Sequence, residues 1–403
     1  MWLVGSIFYA YQYILRVAPS ILIDDIMARF QIDANIFGQF SGAYYFGYSL
    51  IHLPLGLALD RFGARKILPI FILLTALGMA PLVLTDFWVY PWLGRAMVGI
   101  GSSAAILGLF KIIRMGFSQN NFTTMLSFSV TIGLMGALYG GAPLYALHQQ
   151  FGFDKVVFGL MAIACLLALI TFAVIPDSKA EALHKGKTWK HVLSILQNKY
   201  VLLVCVFAGF MVGPLEGFAD VWGSVFLKKI YGLDDAHAAS IPSVTFLGMC
   251  FGGPLLSLLA KKIKNDLVVI LLAALSMLLA FIALLSGSVP EMWLSSLFFA
   301  VGVMCAYQII AIAHAATKVQ DEQVGLASAV ANMIIMIFGY VFHSLIGKTV
   351  QYFSNSAAGN ATEIGGAIST EGILYGVSVI PVMMAFALLG FTFLALRYRA
   401  ANK

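Results

Sequence analysis

The sequence predicts an all-α membrane protein, with twelve transmembrane helices in two pseudo-symmetric six-helix bundles. Three observations carry that expectation. The 403 residues are 61% hydrophobic and only 10% charged, whereas a soluble domain carries roughly 25% charged residues, so lipid must solvate most of the surface. Apolar stretches long enough to cross a bilayer recur along the whole chain and leave no room for a soluble domain. Short matches repeat at an offset near 200 residues, the mark of a duplicated unit.

Charged residues, glycines and prolines punctuate the chain and place six helices at 2–27, 36–58, 67–85, 89–113, 122–147 and 155–175. Six more fall at 200–228, 238–260, 266–286, 291–316, 324–350 and 372–396. Residues 1–175 are thus expected to form one six-helix bundle, 176–199 a cytoplasmic linker, and 200–403 a second bundle. Within the linker, TWKHVLSIL reads as a short amphipathic surface helix. The polar 351–371 segment reads as a loop, and its Asn360-Ala361-Thr362 fits a glycosylation triplet. No basic n-region precedes the first apolar run. That run is either a retained span or preceded by residues outside this chain.

The net charge of +6 is not a nucleic-acid signal, because the basic residues fall mostly in alternate short loops. With both termini on the cytoplasmic side, the inner loops hold Arg61, Arg65, Lys66, Lys111, Arg114, the five lysines of the central segment, and the later clusters at 261–264, 318 and 397–403. The outer side keeps only Arg29, Lys155, Lys228, Lys229 and Lys348. That asymmetry predicts an N-in, C-in topology. Cys165, Cys205, Cys250 and Cys305 lie in apolar runs without metal-ligand spacing and read as small core residues. No metal site, cofactor or enzyme constellation is expected: there is no HExxH, GxSxG or Walker loop.

The repeat sets PLGLALDRFGARK (Pro54–Lys66) against PLLSLLAKKIKND (Pro254–Asp266), FQID against YGLD, and Gly101 against Gly302. Two parallel six-helix repeats with a site between them form a transporter architecture. The stretch GLALDRFGARK resembles the signature loop of the major facilitator superfamily, matching it at Gly56, Asp60, Arg61, Gly63, Arg65 and Lys66. Gly56 is expected to permit close helix packing and Gly63 a tight turn. Asp60 is expected to pair with Arg61 or Arg65, or to meet a helix N-terminus. The resemblance implies that this loop latches the outward-open state. Ala260 stands where the second-half copy would carry Asp60, so any latch is asymmetric.

RAMVGIG (Arg95–Gly101) is similar to the superfamily's fourth-helix pattern. Arg95 lies near the outer end of its span, where it either snorkels to the surface or, as the resemblance implies, takes part in proton coupling. GLMGALYGGAP (Gly133–Pro143) resembles the fifth-helix pattern of drug/proton antiporters, but the order of its Gly-Gly-Ala-Pro departs from that pattern, and packing glycines explain it better.

Arg16 falls near the midplane of the first span, where an arginine is costly and marks a functional position. Pro19 loosens the helical ladder beside it and leaves carbonyls for a ligand or water. Tyr9, Gln12 and Tyr13 set polar tips on the same face. The resemblance implies that this helix lines the cavity. Arg16 then binds an anionic group of the substrate, bidentately if a carboxylate, or else forms a structural ion pair.

In the seventh span, Glu216 and Asp220 are four residues apart and share one face. The repeat offset sets Glu216 opposite the Arg16 region. Glu216 either carries the coupling proton and releases Arg16 to substrate, or holds the halves together as a static pair. Asp220 lies further toward the outer surface, solvated or sharing the proton-coupling role. Tyr44, Tyr45, Tyr48 and His52 on the second helix, Tyr307, Gln308 and His314 on the tenth, and Asn332 and His343 on the eleventh either complete the cavity or bond between helices.

The function expected is therefore secondary transport of a small polar, carboxylate-bearing metabolite across the inner membrane by alternating access, as a proton symporter. Proton-antiport efflux of drugs or metabolites is the alternative, and an aromatic content of 13% is compatible with it. The expected partners are the substrate, protons and membrane lipid, with the chain a monomer that binds no nucleic acid.

Overall fold

The computed structural model describes residues 1–177, 188–320, 323–357 and 368–401. These residues form helices and connecting turns, with no β-strand among them. The first part comprises α1 (Trp2–Ile21), α2 (Ile23–Phe30), α3 (Ala34–Phe62), α4 (Ala64–Met79), α5 (Pro81–Leu84), α6 (Val89–Gly116), α7 (Phe122–Tyr139), α8 (Ala142–Phe151) and α9 (Phe153–Val174). α10 (Thr188–Gln197) is the expected short helix of the central segment; residues 178–187 of that linker lie outside the described residues. The second part runs through α11 (Lys199–Gly209), a π-helical stretch Gly213–Trp222, α12 (Gly223–Tyr231), α13 (Asp235–Ser240) and α14 (Val244–Ile263). It ends with α15 (Asp266–Leu285), α16 (Glu291–Cys305), α17 (Tyr307–Ala316), α18 (Val324–Ala357) and α19 (Thr370–Ala401). The loop expected over 351–371 is helical as far as Ala357, and the Asn360 triplet lies outside the described residues.

Among the described residues, nine helical runs are long and apolar enough to cross a membrane, and the bent α7–α8 pair, at 42°, makes a tenth. α1–α2 and α3 are of comparable length, but glutamines, tyrosines, Arg16 and His52 dilute their apolar character. The polarity that hides these two segments from a hydropathy test is what lines the cavity described below.

Breaks within runs expected to be continuous follow proline and glycine. Gly140-Gly141 precedes Pro143 at the start of α8. Pro214 opens the π-helical stretch, and Pro242 separates α13 from α14. A proline supplies no N–H to the preceding turn, so the ladder widens or restarts there. Gly63 turns the chain between α3 and α4 with φ 79°, in the left-handed region open to glycine. This turn marks one end of the molecule, the latch-loop end; α2, α8 and α13 mark the other.

Tight crossings use glycine to bring backbones together. Gly47 lies against Ala96 and Gly99 against Tyr44 where α3 crosses α6; Gly248 lies against Phe299 and Gly302 against Thr245 where α14 crosses α16. The two crossings are copies of each other, and they pair Gly302 with Gly99 rather than with Gly101. Gly101 instead faces Phe71 and Thr75 of α4. On α7, Gly133 and Gly136 meet Tyr9 and Ala10 of α1, so the fifth-span glycines do serve packing. Cys205 and Cys305 are buried core residues as expected, whereas Cys165 is exposed on the outer face of α9 and Cys250 is half-buried.

Candidate functional site

A cavity of about 540 Å³ lies between α1, α3 and α6 on one side and the π-helical stretch, α14, α17 and α18 on the other. Tyr9, Gln12, Tyr13 and Arg16 line it from α1; Tyr44, Tyr45, Tyr48 and His52 from α3; Glu216, Gln308, Ser328 and Asn332 from the second part of the chain. Arg114, near the end of α6, lines it too, and a second cavity of about 260 Å³ shares His52 and Gly325 and reaches Gly56 and Asp60. The space therefore leads toward the latch-loop end.

At its deep end Arg16 is 7% exposed and Glu216 and Asp220 are 1% and 0% exposed. Arg16 Nη2 pairs with Glu216 Oε2, and Arg16 Nε donates to Asp220 Oδ2 at 2.7 Å. The Tyr45 hydroxyl donates to Glu216 Oε2 at 2.5 Å and also contacts Asp220 Oδ2. Gln308 donates to Glu216 Oε1 at 3.4 Å. The rings of Tyr13, Tyr45 and Phe246 surround the guanidinium at 5.2, 5.3 and 5.8 Å, a geometry favourable to a cation. Asp220 is thus not the solvated outer residue expected. The π-helical stretch, started at Pro214, turns it inward beside Glu216 on the same face. One guanidinium is thus shared by two carboxyl groups, with the Arg95 guanidinium a second buried cation beside them. Removing one partner of such a buried pair typically costs about 3–5 kcal/mol.

Arg95 does not snorkel. It is 7% exposed, and it donates to the backbone carbonyls of Leu15 at 2.6 Å and Arg16 at 2.9 Å, with its guanidinium 4.9 Å from the Tyr44 ring centre. The Leu15 carbonyl is the acceptor that Pro19, lacking an N–H, leaves without a helical donor. The carbonyl expected to await a ligand is therefore taken by Arg95, which fixes the backbone carrying Arg16.

Three other expected cavity residues are placed elsewhere, among them His343, which is fully buried against Tyr45. Tyr307 is fully buried with its hydroxyl on the Ala208 carbonyl at 2.7 Å, and it does not line the cavity. His314 bonds Tyr200 and Asp266 near the latch-loop end. The Tyr44, Tyr48 and His52 row does face the cavity, with Tyr48 stacked on both neighbours and Tyr44 donating to Gln12 at 2.7 Å. Ser328, overlooked in the sequence, lies four residues from Asn332, which lies four from Met336, and all three share one face of α18.

The latch loop also differs from expectation. Gly56 has open space beside it rather than a packed neighbour, because it borders the cavity mouth. Asp60 pairs with Lys111 of α6 at 3.2 Å, not with Arg61 or Arg65. Arg65 lies 3.5 Å from Asp177, and Arg61 stacks on its neighbour Phe62 at 5.0 Å. Lys66 is exposed. Among the described residues, these pairs of Asp60 and Arg65 lie within residues 1–177.

The opposite end is shut by contacts between the two parts of the chain. Across the two parts, Lys228 of α12 lies 3.9 Å from Asp24 of α2 and Tyr145 of α8 bonds Asp235 of α13 at 3.1 Å, while Lys228 and Asp235 pair at 2.8 Å within the second part. Beneath them α3 and α18 meet along a glycine seam: Gly38 against His343 and Gly347, Gly42 against Tyr340, and Gly339 against Tyr45.

Residues 1–343 match the family model described as Major Facilitator Superfamily. A quinolone resistance transporter of Acinetobacter baumannii is 26% identical over 88% of this chain and 87% of its own length. A probable galactarate/D-glucarate transporter, GudP, of Bacillus subtilis (strain 168) is 25% identical over 65% of this chain, which spans 64% of that relative. In fold, the crystal structure of the nucleoside transporter NupG superposes with a TM-score of 0.74 over 98% of this chain and 98% of its own, at 15% identity.

Proposed function

The chain belongs to the Major Facilitator Superfamily, and from that premise we propose that it carries a small, polar, carboxylate-bearing metabolite across the cell inner membrane by proton-coupled symport. Membership makes it a multi-pass membrane transporter rather than an enzyme. The reading rests on one observation: at the deep end of the cavity a single guanidinium, Arg16, is shared by two carboxyl groups, Glu216 and Asp220. Protonation of Glu216, the carboxyl that lines the cavity, weakens its hold on Arg16 and frees donor positions for a substrate carboxylate, whose geometry suits a guanidinium fork. Proton and anion then enter together, and neither is bound well alone. Residues 1–175 and 200–403 act as the two rocking bundles about this site, joined by the 176–199 linker. With the termini cytoplasmic, the cavity is open inward and the loop at Asp60 and Arg61 is unlatched. Tyr48, His52, Gln308 and Asn332 supply polar contacts to the rest of the substrate.

Two features favour proton-antiport efflux as a second reading: the aromatic wall of Tyr9, Tyr13, Tyr44 and Tyr48, and the relative named for quinolone resistance. Uptake into proteoliposomes, with labelled D-glucarate and other carboxylates, amino acids, peptides, sugar phosphates and nucleosides, separates the two. Accumulation of a carboxylate that follows an imposed pH gradient is expected. Drug resistance on expression, with no carboxylate taken up at any pH gradient, overturns the symport reading.

A further inference from the structure

His52 lines the cavity without a hydrogen bond to the protein. It is only 5% exposed, yet neither ring nitrogen has a partner among the described residues. Nδ1 is wholly buried, whereas the ring borders both cavities, so the nitrogen that opens onto them is Nε2. A buried polar atom without a partner carries a desolvation cost and asks for an explanation. A buried N–H lacking an acceptor is rarer than an under-satisfied acceptor, so Nδ1 keeps its lone pair and Nε2 carries the proton. Stacking on Tyr48, with centroids 5.4 Å apart and planes 28° from parallel, fixes the ring. His52 thus presents an N–H to the cavity, and nothing in the protein receives it.

Its surroundings leave room for a ligand, and its level sets the ligand's length. Gly56 of α3 and Gly325 of α18, which border the same space as His52, have no neighbour within 4 Å of an added Cβ. Toward the deep end, Tyr44 stacks on Tyr48 at 6.1 Å and bonds Gln12, one turn of α1 from Arg16. The adjacent Tyr45 ring lies 5.3 Å from the Arg16 guanidinium. Seven residues of α3, about 10 Å of helix rise, separate Tyr45 from His52. We propose that His52 is a second anchor for the substrate, its Nε2–H donating to an oxygen at the far end of an acid whose carboxylate Arg16 holds. Hydrogen bonds of about 2.9 Å at each end leave roughly 4–6 Å between the two groups, the reach of an extended chain of about five or six carbons. The substrate class is then a short acid with an oxygen function at the opposite end: a hydroxyl, a carbonyl or a second carboxylate. Arg16 selects charge and His52 selects length. The inference rests on the carboxylate reading above.

A length series tests it. Uptake into proteoliposomes of labelled D-glucarate, or whichever labelled carboxylate the panel shows to be taken up, is inhibited with unlabelled plain acids, ω-hydroxy acids and α,ω-dicarboxylates of increasing length. In the wild type, inhibition by an oxygen-ended series is expected to peak at about five or six carbons. There it should be about tenfold stronger than that of the plain acid of equal length, the worth of one hydrogen bond. A peak among hydroxy acids as well as dicarboxylates means that a neutral oxygen suffices, and one among dicarboxylates alone makes the far group an anion; both uphold the anchor. His52→Phe keeps a ring beside Tyr48 and removes the donor, and is expected to bring the ratio to about one. His52→Gln restores a donor and is expected to recover part of it. For a variant that no longer transports, the same ratio is read from the rise in melting temperature each acid gives the purified protein. A wild type without a length optimum overturns the proposal, as does an optimum kept in His52→Phe. Binding of every acid lost in both variants, plain acids included, assigns His52 a structural role instead. A wild type that takes up no carboxylate overturns the proposal together with the carboxylate reading.

Discussion

The two ends of the molecule are held by different physics. At the open, latch-loop end, Asp60 and Arg65 pair with Lys111 and Asp177 of the same part of the chain, so nothing in these pairs opposes separation of the two parts. At the closed end, Lys228 reaches Asp24 and Tyr145 reaches Asp235 across the two parts, and glycines 38, 42, 339 and 347 lay α3 directly on α18. Exposed ion pairs are worth about 0–1 kcal/mol each, whereas the glycine seam leaves no room for an added side chain. The closed end is therefore sealed by shape and trimmed by charge.

The largest effect is expected where shape is broken. Gly38→Leu sets a side chain against the His343 carbonyl and the Gly347 backbone, and overpacking of about 1–3 kcal/mol or more displaces the equilibrium by tenfold to a hundredfold. Thiol labelling of Ser41→Cys, buried on α3, in a background without the native cysteines should rise accordingly; unchanged labelling would mean the seam is not the seal. A smaller change is expected from Lys228→Ala, which removes one pair across the two parts and one within the second, and should raise the same labelling only about two- to fivefold. Should it match Gly38→Leu, charge and not shape closes this end. Asp60→Asn is expected to matter least in the present state, changing the labelling less than about twofold, because its partner Lys111 moves with it. Marked protection or exposure of the introduced thiol in that variant would show that Asp60 reaches across to the second part of the chain.

How much of this was legible in the sequence differs from residue to residue. The Arg16–Glu216 contact could be read because a duplication near 200 residues sets the two positions at equivalent depths, and a midplane arginine needs a counter-charge. Asp220 could not be placed, because its depth depends on a π-helical stretch whose wide turns no periodicity announces. Arg95 looked free to snorkel since its position in the span was visible, while its acceptor, the carbonyl freed by Pro19, belongs to another helix. Gly56 matched a motif but lost its expected packing, because whether a glycine faces a helix or a cavity mouth depends on which end is open. Ser328 was recoverable from its spacing to Asn332, but a single small hydroxyl in an apolar helix bonds its own backbone and carries little signal of a cavity.

The central claim is that Glu216 exchanges a proton for its hold on Arg16, and Glu216→Gln tests it most directly. Glutamine keeps the shape and removes the titration. Gradient-driven accumulation of labelled carboxylate should disappear, while counterflow exchange continues in the same vesicles. Accumulation that still follows the pH gradient in this variant would contradict the claim, and loss of both activities would make the Arg16–Glu216 pair a structural tie between the two parts of the chain.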